Sequence, residues 1–209
     1  MAASQTKPRV RMTGEQRREQ LLDVSKQIVG EEGFHAVSIE AVARRAGITR
    51  PVVYGHFPDL AALLEAMVAR EGERALAQLA AVLPGQMSAG ASPREDLLAG
   101  LRGYLEAVAA DPVTWRLVLM PPEGAPPVLR DGIAEGREAV VAALAEAVRP
   151  GLGPGSKSPD PALTARTLSA VSDEAARLML TDPDEYPPER LLAHAHWLLR
   201  QLEPPPASN

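Results

Sequence analysis

Cysteine is absent from the 209 residues, which excludes both a disulfide framework and a thiolate metal site and points to a reducing compartment. Aromatic residues are scarce, at 3%. The 45% apolar content must therefore build its core from Ala, Leu and Val, a mixture that close-packed helices favour over sheets. No uninterrupted run of about 18 apolar residues occurs, so no ordinary spanning helix is encoded. The opening stretch MAASQTKPRVRM has no apolar segment behind its basic residues, and these absences together predict a soluble, cytoplasmic protein without a membrane partner. Strand-like alternation and hairpin dipeptides are also missing. So are a nucleophile motif, a glycine-rich phosphate loop and a metal-ligand cluster, which predicts a protein that is not an enzyme and holds no cofactor or metal. His194 and His196 stand two apart on a helical stretch, point to different sides and cannot chelate one ion.

The charge that is present is unevenly placed. Residues 1–57 hold nine Lys or Arg against six Asp or Glu, a surplus of three positive charges. The whole chain carries −5, so the remainder carries −8. A basic end on an acidic body predicts that only the first part meets a polyanion.

Helix signals then recur along the chain. Residues 1–12 combine Pro8 with polar residues and show no periodicity, which predicts a flexible basic arm containing Lys7, Arg9 and Arg11. Thr13 with Gln16 forms a capping box before Leu21, Leu22, Ser25, Ile28 and Val29, and Gly33 ends that helix. Ser38 is placed to cap a second, short helix with Glu40 in its first turn and Ile39, Val42, Ala43 and Ala46 as its apolar stripe. Thr49 is placed to cap a third, with Pro51 in its first turn. Gly47 and Ile48 join the last two, a helix-turn-helix arrangement. A longer helical pattern from Asp59 reaches Leu83, and PGQMSAGASP breaks it. Beyond, Ser92-Pro93 with Glu95, Asp111-Pro112 and Asp160-Pro161 mark starts, giving helices at about 93–110, 112–120, 126–149, 161–181 and 188–203. GLGPGSKSPD separates the third of these from the fourth as an exposed loop. The prediction is an all-α chain of roughly nine helices. It comprises an arm (1–12), a helix-turn-helix domain (13–58), a second helical domain (59–203) and a disordered tail (204–209).

The last two helices are apolar on more than one side and need two sets of neighbours. Ala165, Ser169, Ala176 and Leu180 form a stripe of smaller residues on the first, while Leu191, Leu198 and Leu202 line the second. A second copy of the chain, meeting these residues in a symmetric four-helix interface, is the expected partner.

The segment GFHAVSIEAVARRAGITRPVVYGHFPDLAALLEAM, residues 33–67, resembles the DNA-binding region of the tetracycline-repressor-like (TetR) transcriptional regulators. The resemblance lies in the spacing of Gly33-Phe34, Ser38, Ala43, Ala46-Gly47, Tyr54, His56-Phe57 and Leu63-Leu64. With the preceding helix it covers about a quarter of the chain. It implies that the helix opening at Thr49 enters the major groove with its N-terminal end. Arg50 is then the candidate for bidentate contact with guanine O6 and N7, and Pro51 and Val52 for apolar contact with a thymine methyl. Thr49 would bond a base or a phosphate. Tyr54 and His56 resemble the family's phosphate-contacting pair, and Ser38 presents hydroxyl and backbone N–H groups to another phosphate. Arg44 and Arg45 are adjacent and point apart, so one of them faces the duplex; Arg45 is the residue assigned. Val53 and Phe57 are left for the core. Many family members hold a phosphate with a lysine where this chain has Leu60, and the basic arm would have to substitute.

For the acidic body the resemblance implies an effector-binding and dimerisation domain around a small-molecule cavity, with Tyr104, Trp115, Met120 and Met179 as wall residues. The function it implies is a one-component regulator, a homodimeric repressor released from palindromic double-stranded operator DNA by a small-molecule effector. The competing expectation, motivated by Leu60 and the acidic body, is an all-α protein-interaction module without specific DNA binding.

Overall fold

The computed structural model describes residues 12–82, 92–121, 127–149 and 158–201, with the backbone alone for Pro93 and residues 127–130. Among them are nine α-helices, one 3-10 turn at Phe34–Ala36 and no strand. The helices are α1 (Gly14–Glu32), α2 (Ile39–Ala46), α3 (Arg50–Tyr54), α4 (Leu60–Val82), α5 (Pro93–Ala110), α6 (Pro112–Leu119), α7 (Pro127–Val148), α8 (Pro161–Thr181) and α9 (Pro188–Gln201). No helix among the described residues is long and apolar enough to cross a membrane.

The helix starts follow from local hydrogen bonding. Thr13 and Gln16 exchange side-chain and backbone bonds in a complete capping box, as do Ser92 and Glu95. Asp111 and Asp160 accept the amides of Thr114 and Leu163, each ahead of a proline whose missing N–H costs the first turn nothing. Asp59 does the same for α4 through the Ala62 amide at 2.8 Å. Each such cap stabilises its helix by about 1 kcal/mol. Gly33 and Gly47 end α1 and α2 at φ 87° and 67°, in the region where a Cβ is strained.

The chain divides into two compact units, Met1–Met67 and Val68–Asn209. That division falls inside α4, nine residues beyond the boundary expected after residue 58, because Leu63 and Met67 are fully buried with the first unit's core. Leu21, Leu22, Ile28, Val42, Val53 and Phe57 complete that core. The second unit is built around Ala75, Tyr104, Leu105, Val108, Trp115, Leu119, Ala176, Met179 and Leu180. Each large apolar side chain removed from water there contributes about 1.5–3 kcal/mol.

The stripe assigned to a dimer interface is corrected. Ala165, Ser169, Ala176 and Leu180 are already buried within the chain. Ala176 and Leu180 belong to the core shared with Tyr104, Leu105 and Val108 of α5 and Trp115 and Leu119 of α6, while α7 is joined to α8 by the pairs Arg166–Glu138 and Arg137–Asp173. Leu191 is half-buried against the chain's own core. Leu198 remains exposed, while Leu202 lies outside the described residues. So do the arm through residue 11, the loop residues 84–91 and 151–157, and the tail.

Candidate functional site

The segment Thr49–Phe57 sorts its side chains by helical position. Val53 and Phe57, four apart, are 0% and 1% exposed and fix α3 onto the first unit's core. The Arg18 guanidinium lies 4.3 Å from the centre of the Phe57 ring and donates to the His56 carbonyl at 3.3 Å, closing the end of the motif onto α1. The intervening residues therefore face outward. Thr49, Arg50, Pro51, Val52 and Tyr54 are exposed, Tyr54 by 52% and Val52 by 40%. That arrangement excludes Tyr54 as a core tyrosine. Thr49 stands at the N-cap of α3 with extended backbone but makes no side-chain capping bond, which leaves its hydroxyl for another acceptor. His56 is half-buried, its ring facing Gly14 at the start of α1.

Two further positions supply polar groups. Ser38 caps α2 by accepting the Ala41 amide at 3.1 Å. Its own hydroxyl proton and the unpaired first-turn amides of α2 stay available to an anion. Arg50 lies 3.9 Å from Glu40 on α2, and both side chains are more than half exposed. A pair that loose and solvated stabilises little, so the guanidinium is free to exchange partners.

Arg45 is not placed as the sequence reading has it. Its guanidinium is held by Glu31 at 2.7 Å and Glu32 at 3.2 Å, both at the C-terminal end of α1. These bonds join α2 to the end of α1. Arg44 is exposed and has no ion pair among the described residues, and it is the member of the pair left for a polyanion.

The second unit holds a cavity of about 460 Å³ walled by α4, α5, α6, α7 and α8. Tyr104 and Trp115 form part of its wall, edge to face with centroids 5.1 Å apart. Met120 and Met179, assigned to the same wall, do not reach it. Met179 is buried in the adjoining core and Met120 packs against that core. Flexible thioethers fill irregular gaps between helices, and these two do so behind the wall. Three helix-interior glycines, Gly72, Gly132 and Gly136, line the cavity beside Leu76 and Leu79.

The polar centre of the wall is Asp173 on α8. It accepts the Tyr104 hydroxyl at 3.1 Å and pairs with Arg137 at 3.1 Å. Burial first, then the neighbouring carboxylate, pushes the Tyr104 hydroxyl well above its ordinary 10.0, so the phenol stays protonated and donating. Asp173 was findable, because it follows Ser169 by four and precedes Ala176 by three in the very stripe that proves buried. Nearby, the fully buried Glu71 of α4 is held by Arg70 at 2.8 Å, by Arg74 at 3.0 Å and by the hydroxyl of Thr114 on α6. His194 stacks on Trp197 at 5.6 Å, while His196 lines a groove beside α5. The two imidazoles do not converge.

Comparison with known proteins agrees with this geometry. The family model for bacterial regulatory proteins of the tetR family matches residues 21–67, from within α1 to the first turns of α4. The chain is similar to the HTH-type transcriptional regulator UidR of Escherichia coli K12, 32% identical over 68 residues, which are 32% of this chain and 35% of that one. It is also similar to the HTH-type transcriptional repressor KstR of Rhodococcus jostii, 31% identical over 98 residues, 47% of this chain and 43% of that protein. In each case the match spans less than half of the relative's length, about a third for UidR. Among solved structures, a putative TetR-family transcriptional regulator from Rhodococcus sp. superposes with a TM-score of 0.65 at 27% identity, over 88% of this chain and 97% of that one. The tetR-family model is thus seated on the helix-turn-helix, residues 21–67, and the likeness in fold to a putative TetR-family regulator runs on through the helical body.

Proposed function

We propose that the protein is a one-component transcriptional regulator that binds double-stranded operator DNA as a homodimer and is released by a small apolar effector. The observation that carries this reading is the sorting of Thr49–Phe57. Two buried anchors hold a short helix whose opening side chains, Thr49, Arg50, Pro51 and Val52, stand clear of the fold. A helix presented in this way reads base edges with its N-terminal residues. Arg50 supplies the bidentate contact to guanine, and Tyr54, His56, Ser38 and Arg44 position the backbone. Regulation of this kind belongs in the cytoplasm, where the operator is.

Homodimerisation rests on an α8 face other than the one read from sequence, and on the part of the α9 face that keeps Leu198 exposed. Leu163 and Val171 on α8 and Trp197 and Leu198 on α9 are 62%, 55%, 54% and 39% exposed. Large apolar groups on two neighbouring helices of a family with helical dimer interfaces suit a four-helix seam. Two recognition helices so joined would meet half-sites about 34 Å apart, which demands a palindromic operator.

For the effector, α4 is the shared element. Leu63 and Met67 near its start belong to the first unit's core, and Ala75, Leu76 and Leu79 near its end wall the cavity. An occupant favouring one setting of α4 biases the other end of the same helix, and a coupling of about 1–3 kcal/mol suffices to control binding. The Glu71–Thr114 bond ties α4 to α6, the helix carrying Trp115, and so links the cavity wall to that element.

The test is fluorescence anisotropy on duplexes tiling the DNA upstream of the gene, at several salt concentrations. Specific, salt-sensitive binding that Arg50→Ala relaxes at one position supports the reading. A second reading, a protein-interaction module without specific DNA binding, is favoured by Leu60 at the start of α4, where a phosphate-holding lysine is common. Equal, purely ionic affinity for every duplex would select it.

A further inference from the structure

The charged groups in the wall of the cavity, among the described residues, are Glu73, Glu135, Asp173 and Arg137. Asp173 and Arg137 neutralise each other, and the other Asp173 oxygen takes the Tyr104 hydroxyl. Glu73 on α4 and Glu135 on α7 remain. Both are exposed, and neither makes an ion pair or a side-chain hydrogen bond among the described residues. The rest of the wall is aliphatic apart from the Tyr104–Trp115 pair, Ser169 and the glycines.

Granted the reading of this cavity as the effector site, we propose that its ligand is an apolar molecule carrying one positive charge, an amphiphilic amine or quaternary ammonium. Three features of the wall favour that charge. Water leaving the cavity on occupation strengthens the field of the two unpaired carboxylates, which attracts a cation and repels an anion. Tyr104 and Trp115 line the cavity, and an aromatic lining suits a weakly hydrated ammonium better than an anion. Arg137 is the single cationic wall group among the described residues, and turning it to an anionic ligand would strip Asp173, itself only 17% exposed, of its countercharge. The volume of about 460 Å³ lies within the range of about 300–1,000 Å³ typical of small-molecule sites.

The experiment is a titration of the full chain bearing Trp197→Phe, in which Trp115 is the remaining tryptophan of two. Its emission is followed with dodecyltrimethylammonium, dodecanoate and dodecanol, each below micelle formation. The expected result is tightest binding by the ammonium, with an advantage of about tenfold that shrinks with added salt and in Glu73→Gln/Glu135→Gln. Dodecanoate binding as tightly as the ammonium, or an ammonium preference untouched by the double substitution, overturns the charge assignment and leaves the effector reading standing. Failure of all three to bind, in protein whose circular dichroism is unchanged, overturns both.

Discussion

Replacing Gly72 by alanine should make the protein more stable while making its cavity smaller. Gly72 sits in the middle of α4 and Gly132 inside α7, both in helix interiors where glycine is less favourable than alanine by about 0.8–1.0 kcal/mol. A Cβ built on either meets nothing within 4 Å, so neither glycine is required by close packing. Each alanine should then add about 1 kcal/mol, raising the melting temperature by about 2–4 °C in a domain of this size. Gly136, lining the same cavity, is the control. Its Cβ would fall 2.5 Å from Leu76 Cδ2 and 3.2 Å from Leu76 Cγ, so Leu76 must leave its rotamer. That displacement costs about 0.5–1.5 kcal/mol and offsets the helix gain, leaving the melting temperature of Gly136→Ala unchanged or lower. The assay is thermal unfolding by circular dichroism at one fixed protein concentration, because a dimer's midpoint moves with concentration. A fall in midpoint for Gly72→Ala, or an equal rise for Gly136→Ala, would refute the placement of the cavity. Gly72→Phe extends the same logic: it should fill the space and abolish binding of apolar probes with the fold intact.

Further outcomes follow from the same geometry. Arg50→Ala should reduce discrimination at one base pair of the operator by about 1–3 kcal/mol, read by anisotropy against single-base variants. Arg44→Ala should lower affinity for all duplexes and reduce the salt slope by about one charge, whereas Arg45→Ala should leave that slope alone and change stability by less than about 1 kcal/mol, its ion pairs being largely solvated. Tyr104 sets an alkaline limit. Its folded-state ionisation lies above 10.0, so above that pH the unfolded chain has lost a proton that the native one retains, and stability falls by about 1.4 kcal/mol per pH unit. Urea midpoints from pH 9 to 11 should show this decline, and Tyr104→Phe should flatten it. Val171→Glu with Leu163→Glu should yield monomers in sedimentation velocity if α8 forms the dimer seam.

Local features of the fold were legible because they are written in adjacent residues. A capping box needs only Thr13 and Gln16, or Ser92 and Glu95, and each of those boxes closes as read. The Asp-Pro pairs fix the starts of α6 and α8, and the described end of α8 falls at Thr181, as the periodicity predicts. The recognition segment was legible for a related reason: residues four apart share a helix face, so burying Val53 and Phe57 forces Arg50, Pro51, Val52 and Tyr54 outward. Arg45 was misread because its partners, Glu31 and Glu32, come from a different helix, and sequence spacing does not say which of two adjacent arginines a turn will bring to them.

The cavity and the dimer face were illegible for a deeper reason, which the small residues of the second unit make plain. Ala165 and Ala176 are small because a neighbouring helix must come close, and they vanish into the fold. Gly136 is small because Leu76 occupies the place of its Cβ, whereas Gly72 and Gly132 are small with nothing in that place at all. In sequence these cases look alike, since a missing side chain leaves no mark of whether a neighbour or empty space replaces it. Only the packed structure separates them. Gly72 and Gly132, which forgo about 1 kcal/mol of propensity without a close neighbour, line a cavity shared with Glu73 and Glu135, two carboxylates without an ion pair among the described residues.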